Sequence, residues 1–144
     1  MSNKKPDWLA ELQAQEQRER DRLPAAKRAL LTALRRTRAA IVTIDYDGEG
    51  DSGQITGIVG QSAAGKPAKL CGSVTLDLNG QARDYNALHE ALDDFAWAVL
   101  RVYHGGFEND GGGFGTLTID VSKGTVTLDH NDRFIDVSNT LTEV

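Results

Sequence analysis

The chain has 144 residues, a net charge of −5 and 40% hydrophobic residues, which is enough for one domain with a buried core. No apolar run approaches the roughly 20 residues of a membrane-spanning helix. A lone cysteine, Cys71, excludes an internal disulfide and a zinc site built from several cysteines. The first residues lack the apolar segment of a secretory signal, so we expect a cytoplasmic protein that does not associate with membranes.

Charge is distributed unevenly along the chain. Residues 1–40 contain ten Lys/Arg and five Asp/Glu, a net charge of +5, whereas residues 41–144 contain six Lys/Arg and sixteen Asp/Glu, a net charge of −10. A basic segment can bind nucleic acid or pack against an acidic part of the same protein. We therefore expect a protein partner, and nucleic acid only through the basic face of residues 24–40.

Two helical segments are predicted before the first strand. Residues 1–22 form a charged helical arm whose apolar face is thin, consisting of Trp8, Leu9 and Leu12. Pro24 suits the first turn of a new helix or a kink, and apolar residues then recur at helical spacing over 24–40. The predicted organisation is an arm over 1–22, removable without unfolding the rest, and a single domain over 23–144.

The remaining chain alternates strands and one further helix. Period-two alternation predicts a hairpin over 41–46 and 54–59, a strand over 70–78 and a second hairpin over 116–130, with 133–137 as a further strand. An apolar stripe at helical spacing predicts a second core helix over about 85–103. The predicted fold is α+β, with an antiparallel sheet of about five strands and two core helices on one face.

One motif suggests nucleotide binding but lacks its essential parts. Residues 60–66 match the G-x-x-x-x-G-K pattern of a phosphate-binding loop. The next residue is Pro67, where that loop needs a hydroxyl for magnesium, and the following segment is typical of a strand instead of a helix. The motif therefore does not predict a nucleotide site.

Two glycine-rich acidic segments are the main candidates for a site. Residues 45–53 and 107–115, interpreted as loops, each concentrate carboxylates and glycines, and we expect them to meet at one end of the sheet. Oxygen ligands converging on a flexible turn suit calcium or magnesium. Position 56, where a calcium loop of the EF-hand type ends in glutamate, is Thr56, so a solvated acidic turn is the competing interpretation.

The second hairpin adds a third group of polar residues. A two-residue turn at Lys123 and Gly124 would place Asp129 opposite Thr118 on the polar face. The alternation directs His130 to the apolar face, where histidine is more often structural than a ligand.

The three segments together resemble the motifs of a known family. They read DYDGEGDSGQ at 45–54, FENDGGGFG at 107–115 and TLDHN at 127–131, and they are similar to motifs of small bacterial proteins of unknown function. Such proteins are often found on plasmids, phages and other mobile elements. The resemblance covers residues 25–136 and implies a shared site, but no reaction.

The candidate site residues come from these three segments. The predicted binding residues are Asp45, Asp47, Glu49, Asp51, Gln54, Glu108, Asn109, Asp110, Asp129, His130 and Asn131. The predicted metal ligands are Asp47, Asp51, Glu108 and Asp110, for calcium or magnesium.

The leading functional hypothesis is a non-enzymatic accessory or interaction protein of a bacterial mobile-element or defence system. Its acidic segments would bind a partner or a cation. One alternative is a metal-dependent hydrolase with His130 as the base. The other is an inhibitor that mimics nucleic acid.

Overall fold

The computed structural model describes residues 7–49, 52–104, 112–132 and 138–144. Two helices and eight strands lie in this part of the chain. In chain order they are α1 (Asp7–Arg35), β1 (Ile41–Glu49), β2 (Ser52–Gln61), β3 (Pro67–Ala68), β4 (Val74–Asp77), β5 (Ala82–Tyr85), α2 (Leu88–His104), β6 (Gly113–Asp120), β7 (Thr125–Asp132) and β8 (Ser138–Glu143).

Six strands form one antiparallel sheet in the order β3-β2-β1-β6-β7-β8. The α+β class and the antiparallel sheet are therefore confirmed, with six strands instead of about five. The final strand is β8, while the predicted strand over 133–137 lies outside the described residues.

The predicted strand over 70–78 does not join the main sheet. Its C-terminal half contains β4, which pairs with β5 across a turn that includes Asn79 and Gly80, forming a separate two-stranded sheet. Gly80 has a φ of 95°, a backbone conformation that glycine adopts without steric cost. The period-two pattern identified the strand but not its partner, because pairing depends on distant residues.

Helix α1 runs without interruption through Pro24, so the arm and the first core helix are one continuous helix instead of two. A proline inside a helix removes one backbone hydrogen bond. Here Leu23 and Ala26, on either side of it, are buried in the core and hold this part of the helix in place. The helix ends at Arg35, earlier than predicted, where the amide of Thr37 turns back to the carbonyl of Leu34 at 2.9 Å.

Burial along α1 begins at Leu23. Before that residue most side chains are exposed, including Trp8, which keeps 66% of its surface accessible. One contact ties this part of the helix to α2, because the guanidinium of Arg20 lies 5.6 Å from the ring centre of Tyr103. Neither of the two described helices has an apolar stretch long enough to cross a membrane.

The core lies between the helices and one face of the six-stranded sheet. Successive strand residues point to opposite faces, and the buried ones recur at every second position. On the central strands these buried residues are Val42, Ile44, Tyr46, Leu117, Ile119, Val126, Leu128 and His130. The residues between them lie on the opposite face, which no described helix covers and which we call the open face.

Candidate functional site

The acidic segment 45–53 is mostly strand, which corrects its interpretation as a loop. Antiparallel pairing continues almost to the tip of the β1–β2 hairpin, with Asp47 opposite Gln54 and Gly48 opposite Gly53. Asp45 and Asp47 therefore lie two residues apart on the same face of a strand, and Gln54 is exposed across from Asp47. A rigid strand holds these carboxylates more firmly than a loop would.

Three neighbouring strands bring polar residues of the first and third motifs, and Phe114 of the second, into two rows on the open face. The first row is Asp45 on β1, Thr116 on β6 and Asp129 on β7, and the second is Asp47, Phe114 and Asn131. Together with Thr56 these residues surround a depression of about 440 Å³. We call this group the open-face site: Asp45, Asp47, Thr56, Phe114, Thr116, Asp129 and Asn131.

The loop between β6 and β7 decides which residue faces Asp129. It contains four residues, 121–124, instead of the predicted two, and is closed by a 2.8 Å hydrogen bond from the Gly124 amide to the Asp120 carbonyl. The side chain of Asp120 also accepts a bond from the Lys123 amide at 2.9 Å. Asp129 consequently pairs with Thr116 and not with Thr118, which brings it into the same row as Asp45.

A β-bulge brings Thr56 to the open-face site. The partner of Asp45 on β2 is Gly57, but the partner of Tyr46 is Ile55, so Thr56 is an extra residue on that strand. Bulges redirect side chains and often occur beside functional sites. Sequence reasoning did not select Thr56, Phe114 or Thr116, because their place in the site depends on how the strands pair.

The carboxylates of the open-face site are held apart. The hydroxyl of Thr116 donates a 2.6 Å hydrogen bond to Asp45, and the amide of Asn131 donates a 3.4 Å bond to the carbonyl of Phe114. Asp45 and Asp129 are separated by two strand spacings, roughly 10 Å. At that distance two like charges repel by about 0.4 kcal/mol in water. Asp45 and Asp47 lie closer, roughly 7 Å apart along β1, where the repulsion in water is about 0.6 kcal/mol.

Directly behind this site, three residues on the same strands form a buried row. Tyr46, Gly115 and His130 are cross-strand neighbours, and the Tyr46 hydroxyl lies 2.5 Å from Nδ1 of His130. The two rings are nearly parallel, with centres 5.7 Å apart. His130 is completely buried. His130 therefore points to the helix side of the sheet, as the strand alternation predicts, and not toward the carboxylates of the open face.

Gly115 explains how tyrosine and histidine meet across an intervening strand. A Cβ atom at this position would lie 2.6 Å from the Tyr46 hydroxyl and closer still to the carbonyl oxygen of Asp129. Both distances are shorter than any side chain tolerates, so only glycine leaves room for the contact. At least this residue of the glycine-rich segment is thus required by packing.

The remaining predicted site residues are not brought into the open-face site by the described part of the structure. Asp51, Glu108, Asn109 and Asp110 lie outside the described residues. The backbone of Glu49 pairs with Ser52 at the end of β1. Of the four predicted metal ligands only Asp47 is described, and within the described residues no three His, Cys, Asp or Glu side chains are grouped to hold a metal ion.

A second depression, of about 550 Å³, lies between the β4–β5 hairpin and α2 and was not identified from the sequence. There Asp94 accepts hydrogen bonds from Arg83 at 3.0 Å and from the Tyr85 hydroxyl at 2.6 Å. Burial, together with the neighbouring Asp94, raises the pKa of Tyr85 to about 12. Burial and the charge of Asp94 also raise the pKa of Asp93. These shifts follow from local packing, and we assign this depression no function.

Comparison with known proteins gives a family but no activity. No curated protein and no solved structure matches this chain. Residues 22–144 match the sequence model of a protein family, DUF6878, which is described as a family of unknown function. The match excludes most of the exposed part of α1 and includes every residue of the open-face site. Because it extends over most of the chain, this protein belongs to the DUF6878 family of unknown function.

Proposed function

We propose that this protein is a non-enzymatic interaction module whose open-face site binds a basic side chain of a partner protein. The observation that carries the proposal is the convergence of Asp45, Asp47 and Asp129, from two of the motifs, around one depression. Carboxylates that are spread over a shallow surface suit an extended cationic group such as the guanidinium of arginine.

The composition of the depression supports a cationic side chain over other ligands. Phe114 contributes an aromatic ring between the carboxylates, and cations bind favourably over such rings. Thr56 and Asn131 contribute neutral polar groups. A volume of about 440 Å³ is within the range of sites that bind small ligands, and exceeds what one amino-acid side chain needs.

The hydrolase alternative has weaker support. It requires His130 as a base beside the carboxylates, but the ring of His130 contacts Tyr46 on the buried side of the sheet. A general base has to reach the substrate directly or through one water molecule. A function in a bacterial mobile-element or defence system is part of the proposal and rests on the resemblance of the three motifs.

The proposal is tested by titrating a blocked arginine-rich peptide into the protein and following backbone amide shifts by NMR. We expect the largest shifts at residues of β1, β6 and β7 that border the depression. Replacing Asp45 and Asp129 together by Asn should weaken binding by about a hundredfold or more, since each charge-assisted hydrogen bond contributes about 1.5–3 kcal/mol. Glu90→Gln, which removes an exposed carboxylate on α2, is the control and should leave binding unchanged.

Two results would contradict the proposal. One is binding that weakens equally in the control and in the double variant, which would indicate attraction to the overall negative charge. The other is binding of calcium or magnesium at this site in the absence of any peptide binding. That result would favour the cation hypothesis and restore the metal-dependent alternative.

A further inference from the structure

Three connections meet at the end of the sheet opposite the open-face site. They are the link 36–40 between α1 and β1, the turn 62–66 after β2 and the loop 121–124 after β6. The amide of Ala40 donates to the carbonyl of Gln61 at 2.7 Å, and the amide of Val121 donates to the carbonyl of Ala40 at 2.8 Å. These backbone bonds hold the three connections side by side.

Basic side chains from the first two of these connections, and from the segment that follows β3, line a pocket of about 540 Å³. The basic pocket, as we call it, contains Arg36, Arg38, Lys66 and Lys69, together with the hydroxyl groups of Thr37 and Ser62. All four basic residues are exposed and no carboxylate lines the pocket. The ion pairs found in the described part of the chain join Arg22 to Asp77 and Arg83 to Asp94, and neither involves the basic pocket.

The position of Lys66 is set by an ordered turn. The Ser62 amide donates to the Lys66 carbonyl at 2.8 Å, and the Gly65 amide donates to the Ser62 carbonyl at 2.9 Å. Gly65 has a φ of 78°, which the turn requires. This is the segment that matches a phosphate-binding loop in sequence. It leads into β3 instead of a helix, so its lysine acts as a surface cation beside the arginines of the α1–β1 link.

We propose that the basic pocket and the cations beside it bind the phosphate backbone of a nucleic-acid strand. Arg35 and Lys123 extend the positive charge beyond the pocket, and Arg35 lies against the 121–124 loop, 3.4 Å from where a Cβ of Gly124 would be. The six cations span the ends of four adjacent strands, roughly 14 Å. A single phosphate group would contact only part of this length. A nucleic-acid strand, with phosphates about 3.4 Å apart along its axis, can contact cations along all of it.

The acidic remainder of the protein does not prevent this interaction. Asp45 and Asp47 lie four and six residues along β1 from its first residue, Ile41, which is roughly 13–20 Å. The Debye length at physiological salt is about 8 Å, so their repulsion is largely screened at the basic end. Asp120 directly precedes the 121–124 loop, and its side chain accepts a hydrogen bond from the Lys123 amide.

The test is a fluorescence anisotropy titration of the full chain with labelled single-stranded DNA and RNA of about 15 nucleotides. We expect binding that weakens as salt increases. A double variant, Arg38→Gln with Lys66→Gln, should lower affinity by about tenfold and reduce the slope of log affinity against log salt by about 1.4, since each phosphate contact contributes about 0.7. The control, Arg18→Gln with Arg101→Gln, makes the same change in net charge at exposed positions elsewhere and should bind like the unmodified protein.

Three outcomes would overturn the proposal. They are no binding at low salt, equal weakening in the control, and binding only of inorganic phosphate or a mononucleotide, which would reduce the pocket to a single-anion site. Because the substituted residues are all exposed, thermal melting of each variant should match that of the unmodified protein. This inference does not depend on the open-face site. The variant with Arg38→Gln and Lys66→Gln should therefore still bind the arginine-rich peptide.

Discussion

The two faces of strands β1, β6 and β7 place different constraints on the residues that they carry. On the open face, Asp45, Thr116 and Asp129 form a row in which one hydrogen bond joins Thr116 to Asp45. One residue along each strand, on the buried face, the row is Tyr46, Gly115 and His130. That row has no room for a single additional carbon atom.

This contrast shows that neighbouring residues of one motif can have unrelated purposes. The buried row is specified by packing, because close-packed interiors tolerate few changes of volume or polarity. The open row is polar, partly accessible and surrounds a depression, so packing does not account for its composition. Substitutions on the buried face should therefore change stability, and those on the open face should change binding.

The largest expected effect is that of Gly115→Ala. The new methyl group would overlap the Asp129 carbonyl and the Tyr46 hydroxyl, so β7 or the tyrosine must move, and we expect a loss of about 3 kcal/mol or more. Gly57→Ala, on strand β2 of the same sheet, is the matched control because nothing lies within 4 Å of its added carbon. Urea unfolding measures both, and equal stabilities would disprove the packing explanation of Gly115.

The next effect is that of Tyr46→Phe. It removes the hydroxyl that His130 contacts in the core, and we expect a loss of about 1–3 kcal/mol in unfolding free energy. Tyr103→Phe, at a partly exposed position on α2, should change stability by less than about 0.5 kcal/mol. If Tyr46→Phe is as mild as its control, the buried pair does not stabilise the fold.

A smaller effect is expected when the exposed part of α1 is removed. This truncation tests whether the buried part of that helix begins at Leu23. A chain starting at Leu23 should be destabilised by less than about 1 kcal/mol, or about 8 °C in thermal midpoint. This truncation removes the ion pair of Arg22 with Asp77, which is long at 4.0 Å and partly accessible to solvent, so it contributes little to stability. A chain starting at Lys27 also lacks the buried Leu23 and Ala26 and should be clearly less stable. If the two truncated chains were equally stable, the conclusion that the buried part of α1 begins at Leu23 would be contradicted.

The smallest effect is expected at Asp93, a partly buried carboxylate on α2. Burial, with the neighbouring Asp94, raises the pKa of Asp93 above its ordinary value of 3.8, so the folded state holds this proton more tightly than the unfolded chain does. The resulting loss of stability is present at neutral pH and disappears as the pH falls below 3.8. Asp93→Asn should therefore raise the thermal midpoint slightly at neutral pH and not in acid. Glu90→Gln, exposed on the same helix, should give no such gain at either pH.

Local patterns in the sequence determined which elements form and which way many side chains point. Period-two alternation over 125–130 directed Asp129 to the polar face and His130 to the apolar face, and both orientations are observed. Helical spacing of apolar residues identified α2 and the buried half of α1. These features depend on neighbours close in the chain, so they can be derived without knowing the fold.

Tertiary structure decided everything that depends on pairing between distant segments. A four-residue loop, not visible in the alternation, set the register that aligned Asp129 with Thr116 and Asp45. Core packing around Leu23 and Ala26 carried α1 through Pro24, against the local preference of proline. The need for glycine at 115, and the meeting of Arg38 with Lys66, arise only when three strands and their connections are assembled. Register and assembly are set by long-range contacts, whose energy no local sequence window contains.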